Sequence, residues 1–547
     1  MLEGLGSKAD VWLPIRPGTD CALALACLNV IIGEDLYDHE FTDNWCNGFD
    51  KLAEHVVQYT PEWAAPITGL SVEQIYDLAR TMGTTKPMAI QYGNGIGDQQ
   101  NDGNWACISI CLIEAITGNL AIPGGGGASM KLPDPLIKTK KFDILTDRLE
   151  ASPEDIEKGY YAGMAKLVAP ELPRWYLNPK TWESGPNTAY YKGLMSILTE
   201  DPYPLRAVLG QASNPFGATR QPKKIVEALK KLEFYFVVDT HWNSSCDYAD
   251  VVFPACTHYE CSQQFATKNT ADGTFIGINQ KIAEPMGETK SDWDFYLDLA
   301  VAMGYGDDFW DGDMDACLNE QLEGSGITLE ELRAANKGIF VERTDGAKPT
   351  EPKYQDYETL FAQLPNGKVQ CYNEWIGGKP NNTETGTLGY LPEYIGPPEG
   401  IAQTPELVEE YPLIISDVHA YRLCNHSYYV GVPYLRELQP YPWVKINPAT
   451  AKQYGIEDGD WIKVESPHGW VKLVAKYFEG IAPEVLMTRR GWWQGCEELG
   501  LPGYECFDGG SDSTVLYDST IENFDPFHSA MAKQTLVKIS KLEGGDE

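Results

Sequence analysis

Apolar and polar positions near the start of the chain alternate between short apolar runs and longer stretches of helical period. The run 10–15 (DVWLPI) predicts a buried strand, and 19–32 predicts a helix directly after it. The same order recurs with a strand over 88–93 (MAIQYG) and a helix over about 104–117. Strands that alternate with helices in this way predict a parallel α/β sheet over 8–130.

A second α/β block begins at about residue 204. The apolar part of 204–215 (PLRAVLGQASNP) predicts a strand that ends in a polar loop, followed by a helix over 222–232 and a strand over 234–240. The next run, 249–254 (ADVVFP), nearly repeats 9–14 (ADVWLP). This repeat suggests two related halves that face each other across a cleft.

The rest of the pattern is less regular until the last quarter of the chain. Residues 130–200 are predicted to be an insertion, and 305–405, rich in Gly, Pro, Asn and Glu, are predicted to be loops. From about Tyr411 onward, short alternating runs surround the turn signal Asp458-Gly459. An Asp-Gly pair between such runs is a strong hairpin signal, so we predict a compact β-rich domain, most simply a barrel.

Charge and cysteine spacing narrow the classes of partner. The 79 acidic and 43 basic residues give a net charge of −36, which disfavours nucleic acid and anionic membranes. No apolar run reaches the roughly 20 residues of a membrane span, and the first ten residues do not resemble a signal peptide. The compartment stays open, with the cytoplasm favoured over export in the folded state. The 13 cysteines contain no C-x-x-C pair, so we expect reduced thiols and no metal ligand.

Five polar loops are predicted to follow strands, at 16–20, 93–103, 210–215, 238–242 and 416–427. In open α/β sheets such loops bind ligands at the carboxyl ends of strands. Their Gly, Asp, Asn and Gln residues suit a large phosphate-bearing nucleotide. Each loop taken singly is equally well a turn or a helix cap. The same alternative, a structural hydrogen bond, applies to the candidate acid–base residues Asp417, His419, His426, His468 and His528.

Three stretches in sequence order resemble the molybdopterin oxidoreductases of the dimethyl sulfoxide reductase family. They are 9–52 (ADVWLPIRPGTD onward), 210–300 (GQASNP, VVDTHW, ADVVFPACTHYE and SDWDF) and 411–466 (YPLIIS and INPATAKQYGIEDGDWIKVES). Within the family, the sequence of these stretches is most similar to the branch of acetylene hydratases and catechol dehydroxylases. The resemblance implies a bis(molybdopterin guanine dinucleotide) cofactor with molybdenum or tungsten, and a terminal double-psi β-barrel.

The resemblance also implies which residues hold that cofactor. They are Gly18, Thr19, Asp20, Gly95, Gln99, Asn214, Val238, Asp239, Asp292, Ser416, Asp417, Val418, His419 and Lys533. Those before residue 300 would lie at the guanine dinucleotides, except Gly95 and Gln99, which match the family's Gly-rich loop near the pterin. Those after residue 400 would contact pterin and phosphate. No catalytic residue and no metal ligand is identified.

The chain also departs from the family pattern. Ser513 and Thr514 stand where the family usually has Asn, and the loop after Ser416 lacks the common Thr-Gly-Arg. In relatives, a four-cysteine iron–sulfur segment and the metal-ligating residue precede the motif that begins here at Ala9. We therefore expect a [4Fe-4S] cluster only in such a preceding segment, which is a separate polypeptide, was lost, or lies upstream of this start.

Together these features predict an α/β fold of Rossmann-like parallel-sheet domains with a pseudo-twofold relation, plus the barrel. The expected domains are 1–123, the rear part of a cofactor-binding domain; 124–404, a second α/β cofactor-binding domain with insertions; and 405–547, the double-psi β-barrel that binds the molybdopterin dinucleotide.

Several functions fit this organisation. The first is the cofactor-holding part of an oxidoreductase that acts on a small organic substrate, with reductive dehydroxylation of an aromatic ahead of hydration of the acetylene hydratase type. Its partners would be that substrate and either the preceding segment or an iron–sulfur electron-transfer subunit. The alternatives are a non-catalytic scaffold subunit and a nucleotide-binding protein unrelated to pterin. Trp492 and Trp493 either line a substrate funnel or pack in the barrel.

Overall fold

Helices fill the first part of the chain in the computed structural model. The structure describes residues 2, 4–97, 100–127, 132–140, 189–200, 204–215, 220, 222–351, 353–362, 364–374, 376–378, 387–418, 429–518 and 534–543. The first helices are α1 (Asp20–Gly33), α2 (His39–Trp45), α3 (Phe49–Val56), α4 (Pro61–Thr68), α5 (Val72–Thr84), α6 (Asn94–Gly97) and α7 (Gly103–Ile116). Later helices span Ala189–Thr199, Pro222–Lys231, Asp292–Ala302, Met314–Leu322, Leu329–Ala334, Tyr357–Leu360, Pro405–Val408, Pro433–Arg436 and Pro448–Gln453.

Helix α1 lies at the centre of the first core. Its sequence, DCALALACLNVIIG, is apolar on nearly every side, and the helix packs against α4, α5 and α7. Helix α5 starts with a capping box, in which Gln74 N donates to the Ser71 hydroxyl and Ser71 N donates to the Gln74 side chain. Tyr357, Phe361 and Cys371, which come much later in the chain, complete this core.

Among the described residues, the strands belong to four sheets. They are β1 (Cys46–Asn47), β2 (Ala207–Gln211), β3 (Phe234–Asp239), β4 (Val251–Pro254), β5 (Phe265–Asn269), β6 (Gly273–Ile278), β7 (Ile339–Glu342), β8 (Val369–Gln370), β9 (Leu413–Val418), β10 (Trp443–Ile446), β11 (Trp461–Ser466), β12 (Gly469–Tyr477), β13 (Val485–Arg489) and β14 (Gln534–Lys541). Strands β2, β3 and β4 form a parallel sheet in that order, as the sequence pattern predicts. Their carboxyl ends therefore share one edge.

The region 305–405 contains more regular structure than expected. Strands β5, β6 and β7 form an antiparallel sheet, and helices Met314–Leu322 and Leu329–Ala334 pack on it around Ile276 and Leu332. The second helix begins with a capping box between Thr328 and Glu331. The loop prediction was wrong because the high Gly and Asn content outweighed this local start signal.

Six strands of the terminal region close into a barrel. Their order is β10–β12–β11–β14–β9–β13, and β13 pairs back with β10. Alternating residues of the strands point inward, and Ile462, Val464, Val471 and Leu473 are fully buried. The barrel predicted from the sequence is confirmed. The hairpin expected at Asp458-Gly459 does not form there, because that turn joins the helix Pro448–Gln453 to β11, and the hairpin is made by β11 and β12. Strands β9 and β13 run parallel, so their carboxyl ends lie side by side.

The two strands predicted within 8–130 do not form. Residues 10–15 and 88–93 are extended, but no strand among the described residues pairs with either segment. The first copy of the ADV repeat therefore belongs to no sheet of the described structure, whereas the second copy contains β4. A strand requires a hydrogen-bonding neighbour, which an apolar pattern does not supply by itself. Most of the predicted insertion, 141–188, lies outside the described residues. Within the described part, no helix combines the length and apolar character that crossing a bilayer requires.

Candidate cofactor-binding site

A polar cluster occupies the shared edge of the parallel sheet. We call it the sheet-end cluster: Asn214, Asp239, Asn243, Ser244 and Ser245. Asn243 Nδ2 donates to Asp239 Oδ2 at 2.8 Å, and Ser244 Oγ donates to Asn214 Oδ1 at 3.0 Å. Asp239 and Asn243 are nearly buried. The end of β2 and the end of β3 are thus joined into one rigid polar edge, and two of the predicted residues, Asn214 and Asp239, lie in it.

The sheet-end cluster faces the barrel domain. Asn214, Asp239 and Asn243 line a narrow cleft whose other wall contains Trp493 and Gln494. Trp493 therefore lies at the junction between sheet and barrel. Trp492 instead is 1% exposed and packs between two arginines, with the Arg436 and Arg489 guanidinium carbons 4.6 and 5.2 Å from its ring centroid. The packing interpretation is the right one for Trp492.

The barrel contributes a buried group of charged residues, the barrel-end cluster: Arg220, Asp417, Arg490, Asp512 and Tyr517. Asp417 lies at the carboxyl end of β9, and Arg490 directly follows β13. Each of the five is no more than 7% exposed. Arg220 reaches in from the sheet domain and donates to the Asp518 carbonyl at 2.5 Å. The parallel pairing of β9 with β13 is what brings Asp417 and Arg490 to the same end of the barrel.

Two members of the barrel-end cluster carry unusual proton affinities. Burial lowers the pKa of Arg220 to about 10, and burial raises the pKa of Asp512. Asp512 Oδ1 accepts from Gly491 N at 3.2 Å and from Thr514 N at 3.1 Å. Within the described residues, no protein donor reaches Asp512 Oδ2, and no acceptor reaches Arg220 Nε or Nη2. These atoms are therefore available to a ligand.

The first helical unit meets the barrel at the predicted loop 16–20. Gly18 has φ +79°, and a Cβ at that position would lie 3.2 Å from Gln534 Oε1. Gln534 pairs with Ser416 in the β9–β14 ladder, so Gly18 and Ser416 belong to the same junction. Thr19 donates its hydroxyl to the Arg16 carbonyl at 2.7 Å, which closes the turn.

Asp20 belongs to a buried acidic group at the start of α1 and α7. Gln100 Nε2 donates to Asp20 Oδ2 at 2.5 Å, and Asp102 Oδ2 accepts from Ile395 N and Gly396 N at 3.1 and 2.9 Å. Burial raises the pKa of Asp20 and raises that of Asp102 to about 7. Sequence reasoning included Asp20 but missed Gln100 and Asp102, although both lie within the loop 93–103 that it selected.

The remaining predicted residues are less closely associated. Asp292 Oδ1 accepts from Gln211 Nε2 at 2.9 Å, at the end of β2. Val238 packs with Ala255 and Phe295, so its side chain serves the sheet core. Gly95 is exposed in α6. Gln99, His419 and Lys533 lie outside the described residues, as do His426 and His528, and Val418 is described only in its backbone.

His468 has a structural partner in the described part of the chain. Its Nε2 lies 2.6 Å from Glu399 Oε1, and Glu399 also accepts from the Thr535 hydroxyl. The alternative of a structural hydrogen bond is the one that the geometry supports for this residue.

Arg220, Arg490 and Asp512 were not selected from the sequence. A signal for Arg490 exists, because two consecutive arginines follow the mostly apolar run 485–488, with Arg489 at the end of β13 and Arg490 directly after it. Charged residues are rarely buried unless they have a partner or ligand, so such a pair marks a site. Nothing local marks Arg220, which reaches the barrel through the tertiary packing of its domain.

Comparison with known proteins identifies the class. Residues 3–302 match the family model described as molybdopterin oxidoreductase, and residues 413–527 match the molydopterin dinucleotide binding domain. The chain therefore belongs to the molybdopterin oxidoreductase family, and the predicted membership is confirmed. The second match contains the six-stranded barrel's β9 to β13 and the Asp417 and Asp512 positions.

Individual relatives agree with this assignment. The chain is 29% identical to acetylene hydratase of Syntrophotalea acetylenica, over 95% of this chain and 70% of the relative. It is 27% identical to dimethyl sulfoxide reductase DmsA of Escherichia coli, over 89% and 61%. The structure of acetylene hydratase from Pelobacter acetylenicus aligns with a TM-score of 0.72 and 25% identity, covering 98% of this chain and 72% of the other. The chain thus spans about two thirds of the length of these relatives.

The residues present fit a molybdopterin dinucleotide. Arg220 offers cationic N–H groups, Asp512 offers a carboxylate oxygen, and Gln534 Oε1 offers an acceptor, all buried without a protein partner in the described structure. Burying a neutral group such as the Gln534 side-chain carbonyl unpaired costs about 1–3 kcal/mol, and burying a charged group unpaired costs more. A ligand with phosphates and ring N–H groups would satisfy both the donors and the acceptors.

Proposed function

We propose that this chain holds a bis(molybdopterin guanine dinucleotide) with molybdenum or tungsten, as the cofactor-bearing part of an oxidoreductase that acts on a small organic substrate. The observation that carries the proposal is that three polar regions each lie against the barrel domain. These are the loop at Gly18, the sheet-end cluster and the barrel-end cluster, each of which lies at a junction with the barrel domain.

The chain's own residues would bind and orient the cofactor. Arg220 and Arg490 would hold negatively charged phosphate oxygens, because guanidinium groups pair with phosphate through several N–H donors. Asp239 and Asp292, with Asn214, would accept from or donate to the purine edges. When bound, the cofactor supplies a metal that changes oxidation state or polarises a small substrate.

The test combines metal and pterin content with one matched pair of variants. Protein purified without oxygen from its native host should contain molybdenum or tungsten with two pterins per chain. Arg220→Gln should lower that content about tenfold or more, because a buried charged hydrogen bond is lost. Lys223 lies in the helix that follows Arg220, and Lys223→Gln removes its exposed ion pair to Asp508. This variant should leave the metal and pterin content unchanged. A stable wild-type chain free of metal and pterin would instead support the scaffold function.

Two chemistries are open to the loaded enzyme, and we favour reductive dehydroxylation of an aromatic compound. Electrons would come from an iron–sulfur subunit or segment outside this chain. The second candidate is redox-neutral hydration, which the similarity to acetylene hydratase favours. Assays with a reduced dye and a hydroxylated aromatic, and with acetylene and no reductant, distinguish the two. Consumption of the dye only with the aromatic supports the first, and product formed without reductant supports the second.

A further inference from the structure

A cavity of about 570 Å³ lies beside the end of β4, and no residue of the two polar clusters lines it. Two thiols line it, Cys256 and Cys261. Cys256 follows β4 and is 6% exposed, whereas Cys261 is partly exposed. The residues between them turn back on themselves, because Glu260 N donates to the Thr257 carbonyl at 3.0 Å. This turn explains how two cysteines five positions apart reach the same wall of the cavity.

The turn is locked by a second set of contacts. Glu260 Oε2 accepts from Thr257 N at 2.7 Å and from the Thr257 hydroxyl at 2.9 Å. Its other carboxylate oxygen accepts from Met286 N at 3.0 Å. These hydrogen bonds fix the conformation of the loop that carries both cysteines.

The two thiols are in contact but chemically unequal. The Cys256 thiol hydrogen-bonds with the Cys261 thiol, and burial followed by the Cys261 charge raises the pKa of Cys256 to about 12. Cys261 Sγ lies 3.6 Å from Asn279 Nδ2, and its thiol donates to the Thr257 carbonyl at 3.8 Å. Cys261 is also the more accessible of the two. This asymmetry separates an attacking thiol from a resolving one.

We propose that Cys256 and Cys261 form a dithiol–disulfide site that reacts with low-molecular-weight disulfides entering the cavity. The Cys261 thiolate attacks the external disulfide RSSR, forming a Cys261–SR bond and releasing RS⁻. The released RS⁻ takes the proton of the Cys256 thiol and becomes RSH. The Cys256 sulfur then attacks Cys261 Sγ, which forms the protein disulfide and releases a second RS⁻. Solvent protonates this second RS⁻ with the proton that Cys261 gave up when it formed its thiolate. The net change is two protein thiols plus RSSR giving one protein disulfide plus two RSH.

The site adjoins a residue of the proposed cofactor site. Cys256 N donates to the Lys290 carbonyl at 2.8 Å, and Ser291 caps the helix that begins at Asp292. A disulfide at Cys256 would therefore fix the segment that positions Asp292. The thiol chemistry does not depend on the proposed function, because it requires no metal or pterin.

The experiment treats the full-length chain, without oxygen, with glutathione buffers ranging from fully reduced to fully oxidised. Free thiols are then alkylated, and the peptides are mapped by mass spectrometry. We expect the loss of two alkylatable thiols and a peptide linked through Cys256 and Cys261, both reversed by dithiothreitol. In Cys256→Ser the reaction should stop at a glutathione adduct on Cys261, and Cys261→Ser should form no adduct at Cys256.

An internal control is available in Cys46 and Cys371. These thiols also hydrogen-bond with each other, but both are buried in the helical core. If the wild-type chain forms no link between Cys256 and Cys261 at any buffer ratio, the proposal is wrong. It is equally wrong if that link appears only at the ratio at which Cys46 and Cys371 also react, since both pairs would then be reporting unfolding.

Discussion

The terminal barrel and the first helical unit satisfy their backbone hydrogen bonds in opposite ways. Every barrel strand has a neighbour on each side, and the ring closes between β10 and β13. In the helical unit the extended segment 88–93 has no strand neighbour in the described structure. Met88 N instead donates to Asn119 Oδ1 at 2.8 Å, and Ile90 N to Glu114 Oε1 at 3.4 Å. The barrel is built from long-range pairing, the helical unit from local signals and side-chain contacts.

The two regions also bury their apolar residues differently. Leu473 in β12 is fully buried inside the barrel, whereas Val11 in the extended segment 10–15 is 72% exposed. The same apolar pattern therefore contributes to stability only where a partner covers it. This difference teaches that the barrel should be sensitive to single apolar truncations, and the extended segment should not.

The largest expected effect is in the barrel. Leu473→Ala should lower the free energy of unfolding of the barrel by about 2–5 kcal/mol, because it removes a buried side chain and leaves a cavity. Urea denaturation, followed by the fluorescence of the barrel tryptophans, measures the change. A loss below about 1 kcal/mol would show that the barrel interior collapses around the gap and would weaken the comparison.

A slightly smaller effect is expected in the helical unit and depends on pH. Burial raises the pKa of Asp102 from 3.8 to about 7, so the folded state favours the protonated acid. Its contribution is most favourable below pH 4 and is lost as the pH rises to about 7. Asp102→Asn should therefore increase stability at pH 8 relative to wild type, by up to about 4 kcal/mol, with little change at pH 4.

Thermal unfolding at several pH values checks this prediction. The exposed α3 residue Asp50, changed to Asn, is the control and should give the same small effect at every pH. A difference between Asp102→Asn and wild type that does not vary between pH 4 and pH 8 would contradict the assignment of a raised pKa.

A third effect concerns the local signals of the helical unit. Ser71→Ala removes the hydroxyl that accepts from Gln74 N at 3.1 Å and should cost about 1 kcal/mol. Ser71→Gly should cost only a few tenths of that amount, because Gly leaves the helix end open to water. Circular dichroism melts compare the two variants. Equal losses would mean that the side-chain cap does not stabilise α5.

The smallest effect is expected at the exposed segment. Val11→Ser should change the free energy of unfolding by less than about 0.5 kcal/mol, since the side chain is already mostly in water. The same urea titration used for Leu473→Ala measures it. A loss comparable with that of the barrel variant would show that a partner covers Val11 in solution, and the contrast between the two regions would fail.

The residues of the proposed site differ in whether the sequence identified them. Asn214 and Asp239 lie in loops that the strand prediction selected, because parallel strands place polar loops at their carboxyl ends, and the family resemblance singled out these two residues within those loops. Arg220 and Asp512 were not identifiable in this way, because neither lies in a loop that was predicted to follow a strand. They meet only after the sheet domain docks on the barrel, where Arg220 donates to the Asp518 carbonyl.

The sequence by itself determined the elements with local signals: the apolar helix α1, the capping box at Ser71, the parallel strands β2 to β4 and the β-rich character of the terminal domain. It also determined the family, through motifs in a fixed order. Tertiary structure decided which apolar runs became strands and which charged residues converged. The reason is physical: caps and periodicity act within a few residues, whereas a strand needs a neighbour and a buried charge needs a partner, and both come from distant parts of the chain.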